Sequence, residues 1–291
     1  MFSGILLINK PPDTTSFDVI NRIKKRFKIK KIGHAGTLDY FATGLLIAGI
    51  NEGTKLLSLF MEREKVYQAT FILGKTTDTL DETGKVVYEH SGTLPSLSLI
   101  EQELNSFKGE LLQKPPEFSA VKIGGKRASD LIRSGKKIEL EARPVSISEI
   151  KVLNYKAPEI AIEVRCSKGT YIRAVARDLG EKLGCGAYVK KLVRTEISPY
   201  RIEDAKSLSE ILNCAKIEDV AVPLIDSLPF MKKLELSEIE KEYIKKGVSL
   251  EKQGVCEVGK MLAVNTNDAV AVVEVVPKDG FCQIRPIRVF N

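Results

Sequence analysis

The sequence predicts a mixed α/β (α+β) protein, with a central sheet flanked by helices and then a small β-rich module. Three observations carry this prediction. Val66 to Leu73 and Glu159 to Cys166 alternate apolar and polar residues with the period of two that a half-buried strand requires. Stripes at helical spacing surround them: Phe17, Ile20, Ile23 and Phe27 early on, and Ile172, Val175, Ala176, Leu179 and Leu183 later. After about Asp226 the chain changes to short strand-like runs, too little for a second large core.

Taken in order, Gly4-Ile5-Leu6-Leu7-Ile8-Asn9 reads as a strand closed by Pro11-Pro12. Ser16 then offers an N-cap hydroxyl, and Asp18 a first-turn acid, to a helix whose apolar face is Phe17, Ile20, Ile23 and Phe27. The other face is basic, with no acid from Arg22 to Lys31. It is either a solvated helix surface or a contact for a phosphate backbone, and its position just before a glycine-rich loop favours the second.

That loop, Gly33-His34-Ala35-Gly36-Thr37-Leu38-Asp39-Tyr40-Phe41-Ala42-Thr43-Gly44, runs into the apolar segment Leu45-Leu46-Ile47-Ala48, which reads as buried. Asp39 therefore sits where an irregular turn meets a rigid scaffold, and Leu38, Tyr40 and Phe41 would keep water away. A carboxylate so positioned is a nucleophile or base, or else a side-chain cap for the next helix. On local grounds alone the cap is favoured.

Tyr67 lies on the apolar side of its strand, as a core residue or as a platform for a nucleobase. The polar run Gly74 to Gly84 contains acids without the spacing of a calcium loop, so it reads as a structural loop and no metal site is expected. Leu99 to Phe107 looks helical, and Gln113 to Lys122 is a proline turn entering a strand. Beyond it, Gly124-Gly125-Lys126-Arg127 and Arg133-Ser134-Gly135-Lys136-Lys137 add exposed positive charge. Ser167-Lys168-Gly169-Thr170 then turns the second alternating strand into a helix from Tyr171 to Gly180. Arg173 stands near that helix start, where a cation opposes the dipole and needs a carboxylate; a surface ion pair would suffice.

Composition narrows the function classes. Lys and Arg number 45 against 38 Asp and Glu, a net charge of +7, which suggests a polyanionic partner. No apolar run is long enough to cross a bilayer, and no signal-type segment opens the chain, so a cytoplasmic protein without membrane contact is expected. The five cysteines are scattered without a C-x-x-C pair, so buried free thiols are expected rather than disulfides or zinc. Trp is absent, which leaves stacking to Tyr, Phe or His.

Several separated segments, taken together, resemble the TruB family of tRNA pseudouridine-55 synthases. They are Lys10-Pro11 with Ser16; Gly36-Thr37-Leu38-Asp39 with Ala42-Thr43-Gly44-Leu45-Leu46; Lys65-Val66-Tyr67; Gln113 through Ala120; and Cys166-Ser167-Lys168-Gly169-Thr170-Tyr171-Ile172-Arg173 with Asp178-Leu179-Gly180. They occur in the family's order over roughly Ile5 to Pro199, and motifs in register are far more specific than any one alone. The resemblance implies the pseudouridine synthase fold, with a largely antiparallel sheet. It also implies an isomerase that detaches uracil in the tRNA T loop, rotates it and rejoins it through C5 without metal or organic cofactor. Extruding the base costs a few kcal/mol, and stacking on an aromatic ring returns roughly 1 to 3 kcal/mol.

By this resemblance the catalytic set is Asp39, Tyr67 and Arg173. Asp39 is the catalytic acid, Tyr67 would stack on the extruded uracil, and Arg173 would pair with Asp39 and aim it. The substrate-binding set is His34, which would wedge into the T loop, Tyr171 and Leu192, which would wall the pocket, and Lys10. Covalent attack by the carboxylate and removal of a ribose proton both remain open as routes. The chain departs from the family pattern at Tyr40, where a proline generally follows the aspartate. It departs again at Phe118, where tyrosine is frequent, and at Val193, where the Leu-Arg-Arg-Thr motif has its first arginine.

In the tail, Ser237 and Glu240 form a capping box for a short helix ending near Gly247. Strands are expected at Val255 to Val258, Met261 to Val264, Ala269 to Val276 and Gln283 to Phe290. The division is thus 1–228 as catalytic domain and 229–291 as a domain similar to the small PUA-type RNA-binding module, or a merely stabilising cap. A monomer acting on the tRNA T stem-loop, with no obligatory protein partner, is expected. The alternatives are a noncatalytic RNA-binding or RNA-folding protein on the same scaffold and a guide-RNA-dependent relative within a ribonucleoprotein. Intact Asp39, Tyr67 and Arg173 argue against the first.

Overall fold

The structure, a computed structural model, describes residues 2–119, 121–136, 138–253, 257–278 and 280–291. Strand β1 (Gly4–Lys10) is buried along nearly its whole length, as expected of an unbroken apolar run covered on both faces. Helix α1 (Ser16–Phe27) comes after the proline turn, but Thr15 caps it instead of Ser16: the Thr15 hydroxyl accepts the Asp18 amide at 3.0 Å. Ser16 is fully buried, and its hydroxyl is used elsewhere. Val19, Ile20 and Ile23 face the core while Phe17 stays outside. The expected stripe is therefore rotated slightly around the helix.

Strands β2 (Ile32–His34) and β3 (Thr43–Ile50) pair antiparallel and bracket the Asp39 loop. The element after Asp39 is a strand, so the carboxylate caps no helix there. Strands β4 (Lys65–Leu73), β5 (Gly109–Gln113), β6 (Arg143–Lys156), β7 (Glu159–Cys166) and β8 (Ala187–Ile197) complete the main part of the sheet, in the order β1-β3-β8-β4-β7-β6-β5 with β2 on β3. Along this path every pairing is antiparallel except β3 with β8. The sheet is thus mixed and largely antiparallel, as expected. The strand expected after the proline turn shrinks to a two-residue pair, Lys122–Ile123 with Lys126–Arg127. Ala120 at the end of the proline turn and Lys137 in the second basic run lie outside the described residues.

Helices α2 (Leu97–Asn105) and α3 (Ile172–Lys182) cover one face of the sheet, where Ile100, Leu104, Val175 and Leu179 meet Phe71, Ile160 and Ile162. On the β1/β3 end, α1 packs Val19 and Ile23 against Ile8 and Leu46. The opposite face of that end is closed by the tail: Leu262, Val264, Val272 and Phe290 join Ile5, Leu7, Leu45 and Ile47 in one cluster. Burial of this continuous apolar area is what holds the two sheets together.

The tail is a five-stranded sheet in the order Lys233–Glu235, Gly259–Asn265, Asp268–Lys278, Phe281–Val289, Leu250–Gln253. Helix Glu238–Lys245 lies on it, opened by the expected Ser237/Glu240 capping box. Of the strand expected at 255–258, Val255 and Cys256 lie outside the described residues, and Glu257 and Val258 are not in a strand. Cys166, Cys185 and Cys214 are free thiols. Cys282 is disulfide-bonded, contrary to expectation; scattered cysteines carry no spacing signal that would have marked it. Among the described residues no helix is long and apolar enough to cross a membrane, and no cluster of His, Cys, Asp and Glu suits a metal ion.

Candidate active site

The Asp39 loop is clamped by buried groups from two strands and a helix. Early in the loop the Gly36 carbonyl accepts from Arg194 Nη2 at 3.1 Å, and the carbonyl of Leu45, just past its end, accepts from Arg194 Nε at 2.8 Å. In the middle, the Ser16 hydroxyl accepts the Leu38 amide at 2.9 Å. Lys10 Nζ donates to the Tyr40 carbonyl at 3.2 Å. Gly44 adopts φ +105°, and a Cβ there would lie 2.3 Å from the Arg194 carbonyl, so only glycine lets β3 and β8 meet. A segment without regular hydrogen bonding is thereby held at Gly36, Leu38 and Tyr40, as an irregular buried turn must be at intervals.

Asp39 is presented from this frame to Arg173, in the first turn of α3. Arg173 Nε stands 2.8 Å from Asp39 Oδ2, and Nη2 donates to Oδ1 at 3.1 Å. One contact is a hydrogen bond and the other a close ion pair without hydrogen-bond geometry at Nε, and together they hold the carboxylate in place. The guanidinium is itself locked: Nη1 donates to the Thr79 carbonyl at 3.0 Å, Nη2 to the Phe118 carbonyl at 2.9 Å, and Asp81 Oδ2 lies 3.3 Å from Nη1. The Arg173 side chain is 5% exposed and that of Asp39 34%, so the aspartate is the open end of a buried network. Asp81 is aimed in turn by Thr79 and Thr83, whose hydroxyls donate to its Oδ1 at 2.7 and 2.6 Å. The loop read as merely structural thus supplies the second acid of the network.

A cleft of about 690 Å³ opens over Asp39 and is lined also by Tyr67, Tyr171, Arg173, Leu192 and Arg194. Tyr67 comes from β4, where it pairs with Arg194 across the ladder from β8. Burial pushes its phenol pKa up, opposed by the Arg194 charge. The Tyr171 backbone is gripped on both sides by Gln113, whose Oε1 accepts its amide at 2.8 Å and whose Nε2 donates to its carbonyl at 3.2 Å. Burial also raises the Tyr171 phenol. Lys65 forms part of the wall, bonded to the carbonyls of Phe60, Met61 and Arg63; burial, helped by Arg194, lowers its ammonium to about 8.

Five of the seven expected site residues, Asp39, Tyr67, Arg173, Tyr171 and Leu192, therefore line one cleft. His34 and Lys10 are not among its lining residues. His34 stands half-buried on β2 ahead of the loop, and desolvation with the Arg194 charge lowers its imidazole, leaving it neutral at pH 7. Lys10 is wholly buried behind the loop, where it props Tyr40; burial lowers its pKa to about 8, with Asp39 opposing. Sequence reasoning missed Asp81, Arg194 and Gln113 as participants. Arg194 had one available signal, its place in the segment Leu192-Val193-Arg194-Thr195.

Sheet, cleft and matching domain models together define a pseudouridylate synthase, an isomerase. The model described as "TruB family pseudouridylate synthase (N terminal domain)" matches residues 24–172, and "tRNA pseudouridylate synthase B C-terminal domain" matches 173–226. The chain belongs to the TruB family. The boundary between those matches falls at Arg173, inside α3, so in three dimensions both segments build one sheet. The chain is 39% identical to the tRNA pseudouridine synthase B of Corynebacterium efficiens over 87% of its length and 86% of the relative's. It is 37% identical to that of Borrelia garinii over the full length of both chains. In fold it resembles a chain of an H/ACA RNP bound to a substrate RNA, with a TM-score of 0.75 at 20% identity over 99% of this chain and 85% of the other. A chain of a Cbf5-Nop10-Gar1 complex gives the same score at 22% identity, with the same coverage.

Proposed function

We propose that the protein converts uridine to pseudouridine at position 55 in the T loop of tRNA, as a monomer in the cytoplasm without guide RNA or protein partner. The observation that carries this reading is the Asp39 carboxylate, held by two nitrogens of the Arg173 guanidinium in a cleft walled by Tyr67, Tyr171 and Leu192. Those walls accept a flat ring: Tyr67 offers a face for the extruded uracil, and Leu192 an apolar side. In the reaction the bond from ribose C1′ to uracil N1 breaks and one to C5 forms; the C5 proton leaves and N1 gains one. Asp39 acts at the sugar or base during the break, by covalent attack or by taking a ribose proton. Arg173 aims it. Tyr67 stacks on the base and stands near the departing proton.

His34, neutral and ahead of the loop, serves as the wedge in the T loop, and Lys10 acts on the substrate only through Tyr40 and the loop it props. Exposed Lys24 and Lys25 on α1, with Lys28 at its C-cap, provide the phosphate contact. Arg26 is committed elsewhere, donating to the Leu212 and Cys214 carbonyls at 2.9 and 3.1 Å. Residues 1–228 form the catalytic domain and 229–291 a PUA-like RNA-binding domain, supported by the separate tail sheet. The test is to incubate the purified protein alone with an unmodified tRNA transcript and map pseudouridine by carbodiimide treatment and primer extension. A single new stop at the T-loop uridine is expected. No product without an added guide RNA, or product at another site, would overturn the reading.

A further inference from the structure

Two aromatic rings stand exposed beside the Asp39 loop and take no part in the cleft. Phe17, in the first turn of α1, is 63% exposed, and Tyr40, next after Asp39, is 53% exposed. Helical spacing predicts that Phe17 is buried with Ile20 and Ile23, and Tyr40 stands in place of the usual proline of the resemblance. Among the described residues neither ring is paired with another ring or with a cation. Single exposed apolar side chains are ordinary on a protein surface. Here, however, two occur at one joint.

The joint is rigid. Ser16, immediately before Phe17, bonds through its hydroxyl to the Leu38 amide at 2.9 Å and contacts the Leu38 carbonyl at 3.3 Å. Tyr40 lies two residues beyond Leu38, and its own carbonyl is held by Lys10. The backbone that carries Phe17 is therefore tied to the loop at Leu38, and that of Tyr40, next to Asp39, is held by Lys10. A ring carried on fixed backbone has only its two side-chain torsions to lose when something covers it, which favours its use as a binding surface.

Charge identifies the occupant. The same helix exposes Lys24 and Lys25, and its C-cap Lys28 is exposed too, so an apolar protein partner covering Phe17 would approach beside ammonium groups that have no acidic partner among the described residues. A nucleic-acid strand offers phosphates to those lysines and a π-face to each ring. Tyr40 directly follows Asp39, which lines the cleft. When a nucleotide is extruded into that cleft, its neighbour in the strand loses a stacking partner.

We propose that Phe17 and Tyr40 form a stacking platform for the nucleotide adjacent in the RNA strand to the extruded uridine. This rests on the reading of the protein as a T-loop uridine isomerase and adds a second base subsite to it. Because stacking accepts any base, the platform selects an unpaired, splayed strand and not a particular neighbour.

The test uses the full chain and a T stem-loop oligonucleotide carrying 2-aminopurine immediately 5′ or immediately 3′ of the target uridine. Wild-type protein at saturation quenches the fluorescence at one of these positions. The double variant Phe17→Leu, Tyr40→Leu loses that quench and binds with a Kd raised roughly tenfold, as loss of stacking on one base implies. The loss falls mainly on KM. Tyr40→Phe retains both quench and affinity. Quench at neither position, or an undiminished quench in the double leucine variant, overturns the platform. Pseudouridine formation on the unlabelled stem-loop is measured alongside with wild type. Its absence would remove the uridine reading itself, whereas its presence without quench removes only the platform.

Discussion

Arg173 joins side chains and carbonyls that the sequence scatters: Asp39, the Thr79 and Phe118 carbonyls and Asp81. Removing one partner of a buried charged network costs far more than the pair itself is worth, because the remaining charge is left uncompensated. Asp81→Asn should therefore let Arg173 shift and lower the single-turnover rate by roughly 10²-fold, the effect of a small misplacement of catalytic groups. Binding of tRNA should be retained; an unchanged rate would assign Asp81 to local loop structure only. Lys65 gives a second prediction, in pH. Its folded pKa is about 8, below the ordinary 10.5, so between those values the unfolded chain binds more protons and the native state gains stability as pH rises. The urea midpoint of wild type minus that of Lys65→Met should widen from pH 8 to pH 10.5; a constant gap would contradict the buried charge. Asp39 and Arg173 were legible in the sequence because each sits in a dense motif. Asp81 was not, since a carboxylate in a polar turn looks the same whether it faces water or a buried guanidinium.

The parallel contact of β3 with β8 brings the loop and the Tyr67 strand together, since Arg194 on β8 pairs with Gly44 on one side and Tyr67 on the other. Alternation and apolar runs were enough to foresee β1, β4 and β7, while β3 read only as a buried segment with a helix as the favoured continuation of the loop. They could not give the order of strands across the sheet, which depends on pairings between distant segments. Helix α1 was foreseen too, but its cap and its outward ring were not. Ser16 and Thr15 are equally good caps, and the need of Leu38 for a buried partner decides between them. The basic surface of α1 and its C-cap is tested by replacing Lys24, Lys25 and Lys28 with Gln. If all three meet phosphates, the slope of log K against log salt should fall in magnitude by roughly 2 to 3. An unchanged slope would return that face to simple solvation.

Across the whole molecule, the chain folds back so that its first third delivers Asp39 and Tyr67 while its middle delivers Arg173 and Leu192 to one cleft. The tail sheet closes the far side of β1 and β3 with Leu262, Val264, Val272 and Phe290, and Lys55 and Arg288 tie its last strand back through Val289 and Ser58. A tail with so much apolar contact behind the loop's scaffold braces it whatever else it binds. The tail's basic and acidic residues are nearly in balance, so the excess positive charge belongs almost entirely to the part that holds the cleft. The central claim is that one carboxylate, aimed by Arg173, performs the isomerisation, and tritium release from tRNA carrying [5-³H]uridine tests it most directly. Asp39→Asn should release none above background while binding tRNA with wild-type affinity. Release at a substantial fraction of the wild-type rate would contradict the account.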